Sequence, residues 1–142
     1  MSKRLRLEGV RVLVVDDARY VLDVVTDMLQ CHGAEVTAVD SAEHAFDVLQ
    51  RERPDVLLSD LSMPGKGGYW LIGQVRALSP ALGGATPAAA LTAYTAPEHR
   101  ASVIRAGFQH HVGKPVGLRA LIEVVASLAL KEQPSGWLVD RN

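Results

Sequence analysis

Val10-Arg11-Val12-Leu13-Val14-Val15-Asp16-Asp17 decides how this chain is read: an aliphatic, largely β-branched run that stops abruptly on two carboxylates. β-Branched side chains suit the pleated backbone, and an almost unbroken apolar run marks a strand covered on both faces. The period then changes. Val21, Val24, Val25, Met28 and Leu29 recur at helical spacing, and Gly33 supplies the stop. A strand that feeds a helix is the building unit of a parallel sheet.

The unit returns four more times. Residues 34–39 form a second strand, and Ser41 caps a helix whose apolar face is Ala42, Ala45, Phe46 and Leu49. Pro54 opens the third strand, Asp55-Val56-Leu57-Leu58-Ser59, which ends on another aspartate, Asp60. Met63-Pro64-Gly65-Lys66-Gly67-Gly68 is loop, since so much Gly and Pro suits neither regular structure. Leu71, Ile72, Val75 and Leu78 mark the third helix. Ala88-Ala89-Ala90-Leu91 has helical propensity, yet its place in the alternation and the preceding Pro87 make it a buried strand. Thr95-Ala96-Pro97-Glu98 reads as a capping box that opens a fourth helix, which Gly107 ends. Residues 108–113 are the last strand, ending at Lys114-Pro115, and Leu118, Leu121, Ile122 and Val125 line the final helix. The expected organisation is an N-terminal arm over 1–8, one domain over 9–131, and a polar tail over 132–142 with an isolated Trp137.

The bulk composition agrees with a globular α/β domain: 48% hydrophobic and 22% charged over 142 residues. Fifteen basic against sixteen acidic residues leave a net charge of −1, which gives no footprint for nucleic acid and no polybasic membrane patch. Lys3, Arg4, Arg6 and Arg11 are read as a solvated arm. The single Cys31 excludes an internal disulfide and is read as a small filler, buried or half-buried, in an apolar helical stretch. No signal peptide and no membrane-length apolar run stands out, so a cytoplasmic setting is expected.

In a parallel sheet with right-handed crossovers, the C-terminal ends of all strands share one edge, and ligands bind there. The residues sent to that edge are Asp16 and Asp17, Asp60, Thr92 and Lys114. Alone, an Asp-Asp pair commonly caps a helix, and a lone Asp, Thr or Lys is surface. Together they form a reaction centre. Crowded carboxylates call for a divalent cation, and Mg²⁺ prefers an oxygen shell that keeps several waters. A carboxylate beside a metal is a nucleophile toward phosphorus, and a lysine and a hydroxyl opposite it answer the charge on the transferring oxygens.

These motifs resemble the receiver domains of response regulators, the CheY-like family. The residues are Val14-Val15-Asp16-Asp17, Ser59-Asp60-Leu61-Ser62-Met63-Pro64-Gly65, Leu91-Thr92-Ala93, Ala106-Gly107-Phe108 and Gly113-Lys114-Pro115, in family order over about 10–130. The resemblance implies a doubly wound (βα)5 sheet of order 2-1-3-4-5, as in flavodoxin and CheY. It implies that Asp60 is phosphorylated, that Asp17 is a direct Mg²⁺ ligand (Mn²⁺ could substitute), that Asp16 binds mainly through water, and that the Ser62 carbonyl completes the protein ligands. Thr92 and Lys114 would hold the phosphoryl oxygens, and the Lys114-Pro115 bond would be cis. Such a domain is a phosphoacceptor rather than an enzyme with a turnover substrate, though it catalyses its own phosphotransfer and dephosphorylation. The implied partners are a histidine kinase or phosphotransfer domain and a downstream protein, with the receiver a monomer or weak dimer. Leu7-Glu8-Gly9 before the first strand, Gly68-Tyr69-Trp70-Leu71-Ile72 and Leu91-Thr92-Ala93-Tyr94 resemble receivers fused to hybrid sensor kinases.

The family's aromatic switch position, three before the lysine, holds His111 here. That position implies a switch role for Thr92 and His111, with a plain surface residue as the other reading of His111; His32, His44, His99 and His110 are read as plain surface residues. The alternatives are a degenerate receiver used as a docking scaffold, an aspartate-nucleophile phosphatase, or a flavin carrier. The phosphatase wants a second aspartate where Ser62 stands, and Asp16-Asp17 would repel a flavin phosphate.

Overall fold

The computed structural model describes residues 6–131. Lys3, Arg4, most of the arm, and the tail over 132–142 with Trp137 lie outside the described residues. Five strands, β1 (Arg11–Val15), β2 (Glu35–Val39), β3 (Val56–Asp60), β4 (Ala88–Thr92) and β5 (His110–Gly113), alternate with five helices. These are α1 (Arg19–Gln30), α2 (Ala42–Glu52), α3 (Gly68–Ala77), α4 (Pro97–Ala106) and α5 (Leu118–Lys131). All pairings are parallel, in the order β2-β1-β3-β4-β5, as the sequence predicts.

Alternation along the strands builds two cores. Val12, Val14, Val56 and Leu58 face α1 and α5, while Leu13, Val15 and Leu57 face α2 and α3. Every residue of β3 and β4 is buried, which is why those runs carry no polar alternation. Each fully buried leucine contributes about 1.5–3 kcal/mol relative to exposure. The alanine-rich β4 is a strand because sheet neighbours on both sides satisfy its backbone, which outweighs alanine's helical preference.

The helical faces are shifted slightly from the sequence reading. On α1 the buried stripe is Val21, Leu22, Val25 and Leu29, whereas Val24 is 43% exposed. At about 100° per residue Val24 lies some 60° outside that sector. Leu118 on α5 is likewise exposed, and Val48 joins the buried face of α2. Cys31 is exposed at the C-terminal cap of α1, not a core filler, because the helical sector has rotated to solvent by that position. The Thr95 capping box does not form. Ala96 is the N-cap, no side chain caps the helix, and Pro97 begins it, a first position where the missing N–H is no loss. Gly68 belongs to α3 rather than to the loop, and Phe108 is a buried residue that precedes β5. Leu7, read as part of the arm, is fully buried, with its N–H donating to the His32 carbonyl at 2.7 Å.

One interaction has no sequence signature. Arg76, near the end of α3, donates to the carbonyls of Gly107 at 2.9 Å, Gly84 at 2.8 Å and Thr86 at 2.8 Å. Gly107 has φ +126°, and a Cβ there would come within 3.0 Å of Arg76 Cγ. The positive φ is what favours glycine there, and an added Cβ would also press on the Arg76 side chain.

Candidate functional site

The topology delivers the predicted residues to one edge. Asp60 ends β3 and Thr92 ends β4. Asp16 follows β1 and Lys114 follows β5, across a cis Lys114-Pro115 bond. The register places Asp60 opposite Leu91 and Thr92 opposite Gly113, so the strand ends stand level.

Asp16 is wholly buried and its two oxygens do different work. Oδ1 accepts the Ala18 N–H at 2.9 Å, a local turn that leads into α1. Oδ2 lies 2.9 Å from Lys114 Nζ, but no hydrogen bond of good geometry reaches it. That contact is an ion pair. The same ammonium donates to Asp60 Oδ1 at 3.1 Å, and the Ser62 N–H approaches that oxygen at 3.4 Å. Asp17 is exposed. One carboxylate oxygen from each of Asp16, Asp17 and Asp60 lies within 4.8 Å of the others.

Three carboxylates against one ammonium leave the cluster two charges negative. Burial, and then the Asp16 charge, hold the Asp60 carboxyl above its usual range, although Lys114 and the Ser62 N–H pull the other way. Burial by itself lowers the Lys114 ammonium, but the contacts and charges of Asp16 and Asp60 outweigh it and raise Lys114 overall. The lysine is fixed in its charged form while the acids remain under-compensated. A buried carboxylate oxygen without an aligned donor, beside two more carboxylates, is a donor set that fits a hard divalent cation.

Space at Asp60 is kept by glycine. A Cβ on Gly68 would fall 2.4 Å from the Asp60 carbonyl oxygen, and one on Gly67 2.6 Å from that of Leu61. The chain can therefore turn back past the carboxylate to start α3.

Thr92 is buried at the edge, and its hydroxyl is engaged by the β4–α4 turn and by α4. It accepts the Tyr94 N–H at 3.0 Å and lies 3.1 Å from His99 Nε2. His99, read from sequence as surface, is half-buried and packs edge-on against Tyr94, with centroids 5.6 Å apart. Nothing in its spacing announced this, because the contact is made across the β4–α4 turn. His111 sits on β5 with its Nδ1 buried and without a hydrogen-bond partner. Burial lowers its pKa, with Arg100, His99 and His110 adding to the effect.

A profile of the response regulator receiver domain matches residues 12–126, most of the chain. The chain belongs to the response regulator receiver family. A 14.6 kDa protein of Leptolyngbya boryana is 42% identical over 123 residues, which are 87% of this receiver and 92% of that protein. The response regulator protein FleR of Pseudomonas aeruginosa is 39% identical over 124 residues, and there the receiver spans 25% of the relative's length. The solved receiver domain of the sensor histidine kinase PA1611 of P. aeruginosa superposes with a TM-score of 0.77. It is 28% identical, covers 85% of this chain and 98% of that one, and carries a magnesium ion coordinated in its active-site cleft. This receiver is thus a two-component signalling domain, homologous both to response regulators and to the receivers of sensor kinases. Among the described residues no helix is long and apolar enough to cross a membrane.

Proposed function

We propose that this receiver accepts a phosphoryl group on Asp60 in a Mg²⁺-dependent reaction and passes the signal on through the surface around α4 and β5. The observation that carries the reading is the convergence of Asp16, Asp17 and Asp60 within 4.8 Å, with the Lys114 ammonium against two of them. Asp17, Asp60 and the Ser62 carbonyl would hold Mg²⁺ directly and Asp16 through water; Mn²⁺ would serve in its place. The bound cation supplies charge neutralisation for an anion approaching a negative cluster. An Asp60 oxygen attacks phosphorus, the bond to the donor's leaving atom breaks, and the donor departs with that electron pair. Lys114, fixed in its charged form, meets a phosphoryl oxygen, and Thr92 offers the hydroxyl opposite.

The donor is a phosphohistidine on a kinase or phosphotransfer domain, and the recipient of the signal is a protein. Hydrolysis of the acyl phosphate, catalysed by the same cluster, resets the domain. The setting is a cytoplasmic monomer or weak dimer. Thr92 and His111 act as the switch pair, with the imidazole where the family places an aromatic ring. A docking scaffold would have no use for a buried, under-compensated carboxylate pair, whose retention costs stability.

Incubation with acetyl phosphate and Mg²⁺, followed by intact mass measurement, should show one added phosphoryl group, lost when the metal is chelated. Asp60→Asn should stay folded and unlabelled. Labelling that survives in Asp60→Asn would refute the assignment.

A further inference from the structure

The hydroxyl of Thr92 is engaged by the β4–α4 turn and by α4 itself. The Tyr94 N–H donates to it at 3.0 Å, the Tyr94 carbonyl lies 3.4 Å away, and His99 Nε2 lies at 3.1 Å. Among the described residues none of its hydrogen-bond partners belongs to Asp60 or Lys114. Two of these contacts are to the adjoining turn and bind Thr92 to its own strand end. The third differs in kind, since His99 is the third residue of α4 and ties the edge of the sheet to that helix. The ring is itself held in place, edge-on to Tyr94 with planes inclined at 66°. In the first turn of α4 no side chain caps the backbone, so the His99 contact is a side-chain tether at an otherwise uncapped helix end.

We infer that His99 is a positioning residue, a latch that keeps the Thr92 hydroxyl turned toward α4 until a phosphoryl group on Asp60 competes for it. The inference rests on the phosphoacceptor reading of Asp60. The hydroxyl has one proton to give: in the tautomer whose Nε2 accepts it, donating that proton to a phosphoryl oxygen breaks the bond to His99. The hydrogen bond to a phosphoryl oxygen is charge-assisted and therefore stronger than an ordinary one. Capture of the phosphoryl group therefore releases the His99 ring and the first turn of α4 together. The latch holds the resting state and opposes the phosphorylated one, and the two states are coupled through one hydroxyl.

The test uses the whole chain with Mg²⁺ and beryllofluoride, which mimics a phosphoryl group on Asp60. Adduct formation is followed by ¹⁹F NMR and the His99 ring by long-range ¹H–¹⁵N correlation. On adduct formation the Nε2 resonance of His99 should move to that of a ring freed from Thr92, and it should not move in Thr92→Val. His99→Ala should bind beryllofluoride about fivefold more tightly, the factor one net hydrogen bond supplies. His99→Gln, which can still reach the hydroxyl, should return toward the native affinity, and His99→Ala should add nothing in a Thr92→Val background. An adduct that forms with the His99 ring and the affinity of His99→Ala both unchanged would overturn the latch and leave the phosphoacceptor reading standing. Failure of the native chain to form any adduct would overturn that reading, and the latch with it.

Discussion

Lys114 Nζ stands 2.9 Å from Asp16 Oδ2, a carboxylate with no exposed surface, and the lysine itself is 23% exposed along its side chain. The pair is thus asymmetric: water can reach the cation but not the anion. Removing the cation leaves a buried negative charge beside a second one on Asp60. Lys114→Met should lower unfolding free energy by about 1–3 kcal/mol, less than a fully buried pair would lose because solvent screens the lysine end. Urea denaturation checks this, and a variant as stable as the native chain would mean that water already compensates Asp16.

Asp60→Asn should act in the opposite sense. The Asp60 carboxyl is held above its usual range, so the folded form binds a proton more readily than the unfolded chain does. Its ionised state therefore opposes folding at neutral pH, and that penalty fades as pH falls through the raised value. Without metal at pH 7.5 the variant should melt about 2–5 °C above the native protein, as ~1 kcal/mol gives in a domain of this size. The gap should close on acidification. Mg²⁺ should raise the melting temperature of the native chain far more than that of the variant.

The two neighbouring aspartates should separate in a Mg²⁺ titration by calorimetry. Asp16 is committed to Lys114 and to the Ala18 N–H, whereas Asp17 is exposed and, among the described residues, is in no hydrogen bond or ion pair that competes with the cation. Asp17→Asn should weaken Mg²⁺ by about tenfold or more, and Asp16→Asn by less. Equal losses would refute the division between a direct and a water-mediated ligand.

The imidazole of His111 should titrate below 6.5, its ordinary value, because burial and the charges of Arg100, His99 and His110 disfavour its cation. The unfolded chain then takes up the proton first on acidification. Stability from the neutral ring is complete above about 6.5 and is lost as pH falls from there through the lower folded value. NMR titration of the ring reads this directly. If His111 serves as the switch, beryllofluoride should push its pKa lower still; an unchanged value with an exposed ring would assign the signal to another residue.

Much of this was legible in the chain. The apolar runs that end on Asp16, Asp60 and Thr92 predict both the sheet and its working edge, because covered parallel strands leave polar side chains only where they stop. Contacts that join distant segments through one side chain left no trace in spacing. His99 reaches Thr92 across a turn, and Arg76 meets three carbonyls contributed by two different loops. Backbone acceptors have no letter in a sequence. The capping box at Thr95 misled for a local reason, since the proline two residues on starts the helix, at a first position where its missing N–H is no loss.

Arg76 also determines how α4 can move. Its guanidinium holds the Gly107 carbonyl at the end of that helix and the loop carbonyls of Gly84 and Thr86 on the same fork. Near Pro97 the described side-chain tie to the sheet edge is the His99–Thr92 hydrogen bond, which capture of that hydroxyl by a phosphoryl group would release. A rod fastened at one end pivots, so a displacement begun near Thr92 is small at Gly107 and largest in the first turn. Partners that read α4 by its tilt would sense the event at Asp60; partners that grip it near Gly107 would not.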